Sequence, residues 1–224
     1  RLLQPEYPDL MVGFNRRFAP LTQKVRQAFS GAPMAIQYRI NAGNMPDDHW
    51  VHDPEVGGGR IIGEACHFID LCTYFAESRI SSVSAIAMDS SSNRHDTCAI
   101  ALKMENGSIA NISYFSNGSS RLSKEYVEIF AGGSSAVIRD FKSLELSQKG
   151  SSRKVKLQKQ DKGHAAEIKA FSEAVKSGKA LPVSVDESLH ATLVTFAVVE
   201  SLRRGGEKID IEAFEASWIS PKAN

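Results

Sequence analysis

The sequence predicts an α+β domain built on an open, mostly antiparallel sheet with helices on one face. Helical apolar spacing recurs near both ends of the chain, and a long middle stretch alternates with period two. The alternating segments follow one another through short turns, which favours antiparallel neighbours over strand–helix–strand units. Helices gathered on one face leave the other face needing a cover, most simply a second subunit.

Pro5 and Pro8 argue against regular structure in the first ten residues. Leu10-Met11-Val12-Gly13-Phe14 is a short apolar run and reads as a buried strand. Pro20 suits the first turn of a helix carrying Leu21, Val25 and Phe29 on one stripe, stopped by Gly31 and Pro33. Met34 to Ala42 reads as a strand with Ile36, Tyr38 and Ile40 on one face. A polar loop, residues 44–54, runs into Gly57-Gly58-Gly59, and Arg60 to Phe75 has helical spacing at Ile61, Ala65, Phe68, Ile69 and Cys72.

Strands follow. Ile80 to Met88 alternates, and Asp96–Met104 and Ser108–Phe115 form a hairpin through Asn106-Gly107. The meander continues through Tyr126–Phe130, Ala136–Asp140, Ser143–Leu146 and Lys154–Leu157, with Gly132-Gly133 and Gly150-Ser151-Ser152 as turns. If exposed, the strand face of Ile109, Asn111 and Ser113 is a candidate subunit surface. Ala165, Ile168, Phe171 and Val175 then form a helical stripe closed by Gly178, with His164 at its start. Asp186 is placed to cap a last helix that contains Leu189, Leu193, Phe196, Val199 and Leu202 and ends at Gly205-Gly206.

With 224 residues, 42% of them hydrophobic, the chain can bury a core without metals or disulfides. A formal net charge of +1 gives no global attraction to nucleic acid or an anionic membrane. Cys66, Cys72 and Cys98 form neither a paired zinc motif nor a disulfide framework, so no metal and a cytoplasmic setting are expected. The opening Arg1-Leu2-Leu3-Gln4, without an initiator methionine, reads as a piece of a longer protein.

The chemistry concentrates in Gly57 to Asp70. Glycines before a helix let a ligand approach the backbone, and the helix start adds unpaired N–H groups. Glu64 and His67 are i, i+3 neighbours on one face, and Asp70 is a further such step, placed to orient His67. A histidine beside a carboxylate suits proton transfer at an alcohol. Trp50 and His52, with the loop carboxylates, suit a polyhydroxylated ligand; Gly58, Gly59, Arg60 and Asp70 complete the candidate substrate contacts. Spacing alone favours the plainer reading: a loop, a satisfied core histidine and an ordinary helix carboxylate.

Val12-Gly13-Phe14-Asn15-Arg16-Arg17-Phe18-Ala19-Pro20, the Gly57-Gly58-Gly59 to Asp70 stretch, His164-x-x-Glu167-x-x-x-Phe171 and Pro182-x-x-x-Asp186 together resemble the glucose–fructose oxidoreductase / inositol dehydrogenase family (Gfo/Idh/MocA). The resemblance implies a C-terminal substrate domain of dihydrodipicolinate-reductase-like type. Residues 1–18 would be the remnant of a nucleotide-binding domain and its junction, and residues 19–224 the substrate-binding and oligomerisation domain. It implies NAD or NADP held mainly by an N-terminal domain, a sugar, nucleotide-sugar or polyol substrate, and a homodimer or homotetramer joined through the sheet. His67 falls on the family histidine that handles the substrate hydroxyl. The family aspartate four residues earlier falls on Gly63, leaving Glu64 as the adjacent carboxylate. Arg16 and Arg17 are candidate cofactor contacts, with an interdomain or solvated ion pair as the alternative. No G-x-G-x-x-G occurs in the chain, so this piece alone is expected to be inactive. The competing reading is a non-catalytic carbohydrate-binding or oligomerisation module that keeps the fold; a hydrolase using Glu64 lacks a second carboxylate partner.

Overall fold

Nine strands, five α-helices and three single turns of tighter or wider helix are laid out in a computed structural model that describes residues 10–29, 31–53, 55–89 and 95–219. The irregular start expected around Pro5 and Pro8 lies outside the described residues.

Pro20 opens helix α1 (Pro20–Ala28), whose Leu21 and Val25 are buried. The run before it is not a strand: a strand exists only by pairing, and Leu10–Phe14 has no sheet neighbour among the described residues. Instead Phe14 plugs into the core, and a 3₁₀ turn spans Asn15–Phe18. Strand β1 (Ala35–Asn41) alternates as expected, with Ile36, Tyr38 and Ile40 buried. A 3₁₀ turn at Trp50–His52 and a π-helical turn at Ile61–Ala65 lead into α2 (Cys66–Ala76), so the helix expected from Arg60 is wound in two ways.

The meander comprises β2 (Ile80–Ala87), β3 (Cys98–Met104), β4 (Ile109–Phe115), β5 (Glu125–Ala131), β6 (Ser134–Arg139), β7 (Ser143–Gln148) and β8 (Ser151–Lys156). Ser151 and Ser152 belong to β8 rather than to its turn. Lys149 and Gly150 make that turn alone, both at positive φ (50° and 76°), as a two-residue hairpin requires. At the Asn106-Gly107 turn Gly107 takes φ 90°, and Asn106 Oδ1 accepts from the Ser108 N–H at 3.0 Å.

Helix α3 (His164–Ser177) ends at Gly178 in the left-handed region. Its expected apolar stripe is not its buried side: Ile168 is 66% and Val175 52% exposed, while Glu167 and Ala174 face inward. Helix α4 (Val185–Arg203) is capped by Ser184, not Asp186; the Ser184 hydroxyl and the Glu187 carboxylate satisfy each other's backbone N–H groups. A short strand β9 (Ile209–Asp210) and α5 (Ile211–Ile219), both unanticipated, complete the chain.

The sheet order is β8-β7-β6-β5-β1-β4-β3-β2-β9. Only β1 with β4 runs parallel; the other pairings among the described strands are antiparallel. Helix α4 lies along β2, α2 against β4 and α1 against β7, so the core is one layer between these helices and the inward residues of the strands. The opposite face carries Ile109 and Phe130, each about half exposed, around a hollow of about 590 Å³ floored by small side chains such as Ala35, Ser84 and Ala101. Asn111 is also exposed there, whereas Ser113 is buried. No helix among the described residues is long and apolar enough to cross a membrane.

Candidate functional site

The glycine loop is built for close backbone approach. A Cβ on Gly57 would sit 2.5 Å from the Cα and the carbonyl oxygen of Val51, so only glycine lets the two segments cross there. Gly58 and Gly59 hold φ of 66° and 91°, and the Gly59 N–H donates to the Val51 carbonyl at 2.9 Å. These bonds tie the 3₁₀ turn of Trp50–His52 to the π turn that precedes His67. A π turn widens the backbone locally, a feature common at functional sites.

His67 lies at the start of α2, its ring edge-on to Phe14 with centroids 5.7 Å apart. Its Nδ1 is buried without a hydrogen-bond partner among the described residues. Burial, and next the charge of Arg16, push its pKa down to about 4, so the ring is neutral at pH 7. Neither expected carboxylate partner reaches it. Asp70 is fully buried and held by Arg17, whose Nε and Nη2 donate to it at 2.5–2.9 Å. Burial raises the Asp70 carboxyl to about 6 against the opposing pull of Arg17. Asp70 is thus a buried anchor rather than a group open to a substrate. Glu64 lies between Arg60 Nη2 (3.3 Å) and Lys124 Nζ (3.1 Å). Those two cations outweigh its partial burial and lower its pKa, holding it as a carboxylate.

Arg60, expected to meet substrate, is 2% exposed and donates to the backbone carbonyls of Gly43 (2.6 Å) and Ala42 (3.2 Å), which fastens the glycine loop to the end of β1. Trp50 is 62% exposed and leans on the His49 ring at 5.6 Å. His52 is half-buried, with an unpartnered Nε2. Arg16 and Arg17 are both buried and saturated. Arg16 donates to both oxygens of Glu125 at 2.8 and 3.0 Å, and Arg17 divides its donors between Asp70 and Glu187. Both guanidinium groups are thus engaged in buried ion pairs rather than solvated ones, and neither is free to meet a cofactor.

Glu125 was not among the expected site residues. It is fully buried, takes donors from Arg16, Lys162 and the Tyr38 hydroxyl, and is held down to about 2, the arginine's hydrogen bond outweighing the burial that would raise it. Its signal in the sequence is phase: a carboxylate in register with the inward residues Val127 and Ile129 of β5. Lys124 and Lys162 carry no signal, being scattered among other surface cations. The ensemble presents a neutral imidazole, with its Nε2 not sequestered, at the head of a helix beside a glycine loop, over a compensated layer of buried charge. Such a group can take or give one proton at a ligand hydroxyl.

The sequence matches the family model described as the GFO/IDH/MocA C-terminal domain over residues 18–133. No curated protein sequence matches the chain. Among solved structures it is similar to UDP-N-acetylglucosamine 3-dehydrogenase GnnA from Acidithiobacillus ferrooxidans, at 20% identity and a TM-score of 0.74, covering 87% of this chain and 62% of that one. It is similar to the aldose-aldose oxidoreductase from Caulobacter crescentus complexed with glycerol, at 16% identity and a TM-score of 0.75, covering 90% and 64%. It is also similar to a levoglucosan dehydrogenase in complex with NADH and levoglucosan, at 18% identity and a TM-score of 0.76, covering 90% and 65%. The chain spans less than two thirds of the length of these structures, and at such identities the likeness is one of fold.

Proposed function

Because the chain belongs to the GFO/IDH/MocA family through its C-terminal domain, we propose that it is the substrate-binding part of an NAD- or NADP-dependent oxidoreductase acting on a hydroxyl of a sugar, nucleotide sugar or polyol. The observation that carries the reading is His67, a neutral imidazole at the head of the helix that follows a glycine loop whose Gly57 no other residue could replace. In this reading residues 19–224 bind and orient the substrate and residues 1–18 join them to a nucleotide-binding domain. The described residues do not themselves fit a dinucleotide. Arg16 and Arg17 are already paired, and Gly57–Gly59 follow a 3₁₀ turn rather than a strand. The cofactor is therefore assigned elsewhere, and this chain's share of the chemistry is proton transfer.

His67 exchanges a proton with the reacting hydroxyl at Nε2, without the carboxylate that the family places at position 63. Glu64 stays ionised and holds Lys124 near the site, while Arg60 keeps the loop in place from beneath. Trp50, His52 and the backbone of Gly58 and Gly59 are the proposed sugar contacts. Ile109 and Phe130 around the sheet hollow are proposed to meet a second copy of the chain. In the intact protein, His67→Ala lowers NAD(P)-linked turnover by about 10²–10⁴-fold with little change in thermal stability. Unchanged turnover overturns the assignment. One observation favours the alternative of a non-catalytic carbohydrate-binding module: with Gly63 in place of the aspartate, Nδ1 has no protein acceptor among the described residues. Sugar binding without turnover by the unaltered intact protein, across a panel of sugars and inositols, would establish that alternative.

A further inference from the structure

Lys124 takes no part in proton transfer at His67, yet it stands beside that ring. Its Nζ donates to Glu64 Oε2 at 3.1 Å, and the charges of Lys124 and Glu64 both act on the imidazole. An ordinary exposed ion pair costs side-chain entropy to hold in one geometry. This one is held from beneath. Glu64 Oε1 accepts from Arg60 at 3.3 Å; Arg60 is 2% exposed, lies over the Tyr114 ring at 5.5 Å and donates to the carbonyls of Gly43 and Ala42. Lys124 is fixed through its backbone. Its carbonyl accepts from the Asn41 N–H at 2.7 Å, and the Asn41 side-chain amide donates to the Ser119 and Leu122 carbonyls of the preceding loop. Both members of the pair are therefore anchored at the end of β1.

The pair is anchored but not saturated. The side chains of Lys124 and Glu64 are 39% and 25% exposed. An ammonium carries three donors, of which Glu64 takes one, and each carboxylate oxygen keeps a further lone pair. At the surface the carboxylate offsets the ammonium, so the pair does not single out an anion. It offers a spare donor and a spare acceptor side by side. Two neighbouring hydroxyls on a sugar or cyclitol ring match that arrangement: one donates to the carboxylate and the other accepts from the ammonium. Hydrogen bonds to charged groups are the stronger kind, which favours such a grip over one by neutral side chains.

On the reading of this face as a sugar site, on which this step rests, we propose that Lys124 is a specificity-determining residue: with Glu64 it holds two neighbouring hydroxyls of the substrate, beside the hydroxyl that reacts at His67. The test is calorimetric titration of the intact protein with D-glucose, D-galactose, D-mannose and myo-inositol, with NADH or NADPH present so that the sugar binds without being oxidised. The best binder is then compared with its monodeoxy analogues, in the unaltered protein and in Lys124→Met. Lys124 is partly exposed, so this replacement should leave thermal melting unchanged. In the unaltered protein, deleting one hydroxyl of the gripped pair should weaken binding about tenfold. Lys124→Met should weaken binding of the parent sugar by a similar factor and leave that deletion without further effect. Lys124→Arg, which keeps the charge and the donors, should recover part of the loss. Parent-sugar binding unaffected by Lys124→Met, or deletion penalties that are the same in both proteins for every analogue, overturns the inference and leaves the sugar site standing. No binding of any of these sugars by the unaltered protein overturns the sugar reading and the inference with it.

Discussion

Replacing Gly63 by aspartate should restore a proton acceptor to His67, and the size of the effect follows from the geometry. Gly63 is exposed and has no positive φ; an added Cβ would meet Val51 Cγ2 at 3.7 Å, an ordinary contact. The helical cost of aspartate is no greater than that of glycine, a difference of a few tenths of a kcal/mol, so the fold should persist. The new carboxylate stands one turn before His67, whose Nδ1 lacks a partner. A carboxylate that reaches within about 4–6 Å of the ring stabilises the imidazolium by roughly one to three pKa units, each worth about 1.4 kcal/mol. The ring, held near 4 in the unaltered chain, should therefore titrate between about 5 and 7. Following the His67 ring resonances against pH by NMR measures this directly, and nitrogen shifts report a proton on Nδ1. A folded Gly63→Asp protein in which His67 still titrates near 4 would refute the premise that a carboxylate at position 63 reaches this ring and opposes the effects of burial and Arg16.

Asp70→Ala should destabilise the fold by up to about 3 kcal/mol, because it leaves the buried Arg17 guanidinium only its Glu187 partner; urea denaturation measures it, and a loss below about 1 kcal/mol would remove the pair from the fold's support. Stability should fall with acid. His67 has a folded pKa near 4 against 6.5 for the free side chain, so the native state excludes a proton that the unfolded chain binds. That stability is fully present above pH 6.5 and is lost as the pH falls toward 4, by up to about 3 kcal/mol; His67→Gln should flatten this part of the profile in denaturant melts. Ile109→Lys with Phe130→Glu on the open sheet face should leave the fold intact and lower the mass seen in sedimentation if that face joins two copies; an unaltered mass would remove the face from the interface.

The strands were legible because period-two alternation survives at almost every one of them, and Asn106-Gly107 announces its own turn. What escaped was decided by partners distant in sequence. Leu10–Phe14 has the composition of a strand but no neighbour to pair with. The stripe on α3 has helical period, yet periodicity does not say which way a helix turns, and the side carrying Glu167 and Ala174 packs inward instead. Ser184 and Asp186 are both good cap residues, and Glu187 three places after the serine is the detail that decides between them. At the site, the glycines and His67 stood out, while Asp70 looked like a partner for His67 on spacing alone. Only the fold brings Arg17 across 53 residues to claim it.

The position of β1 bears on how the chain acquires its structure. The runs β2 to β4 and β5 to β8 are each stitched by contacts between near neighbours and can zip locally. Neither continues into the other except through β1, whose bonds to β4 close loops of more than seventy residues. The transition state for folding should therefore lie in the capture of this one early strand by two preformed ribbons, a step whose chain-entropy cost makes it slow relative to the hairpins themselves. Substitutions at Ile36 or Tyr38 would retard folding, whereas those in the β7–β8 hairpin would chiefly hasten unfolding.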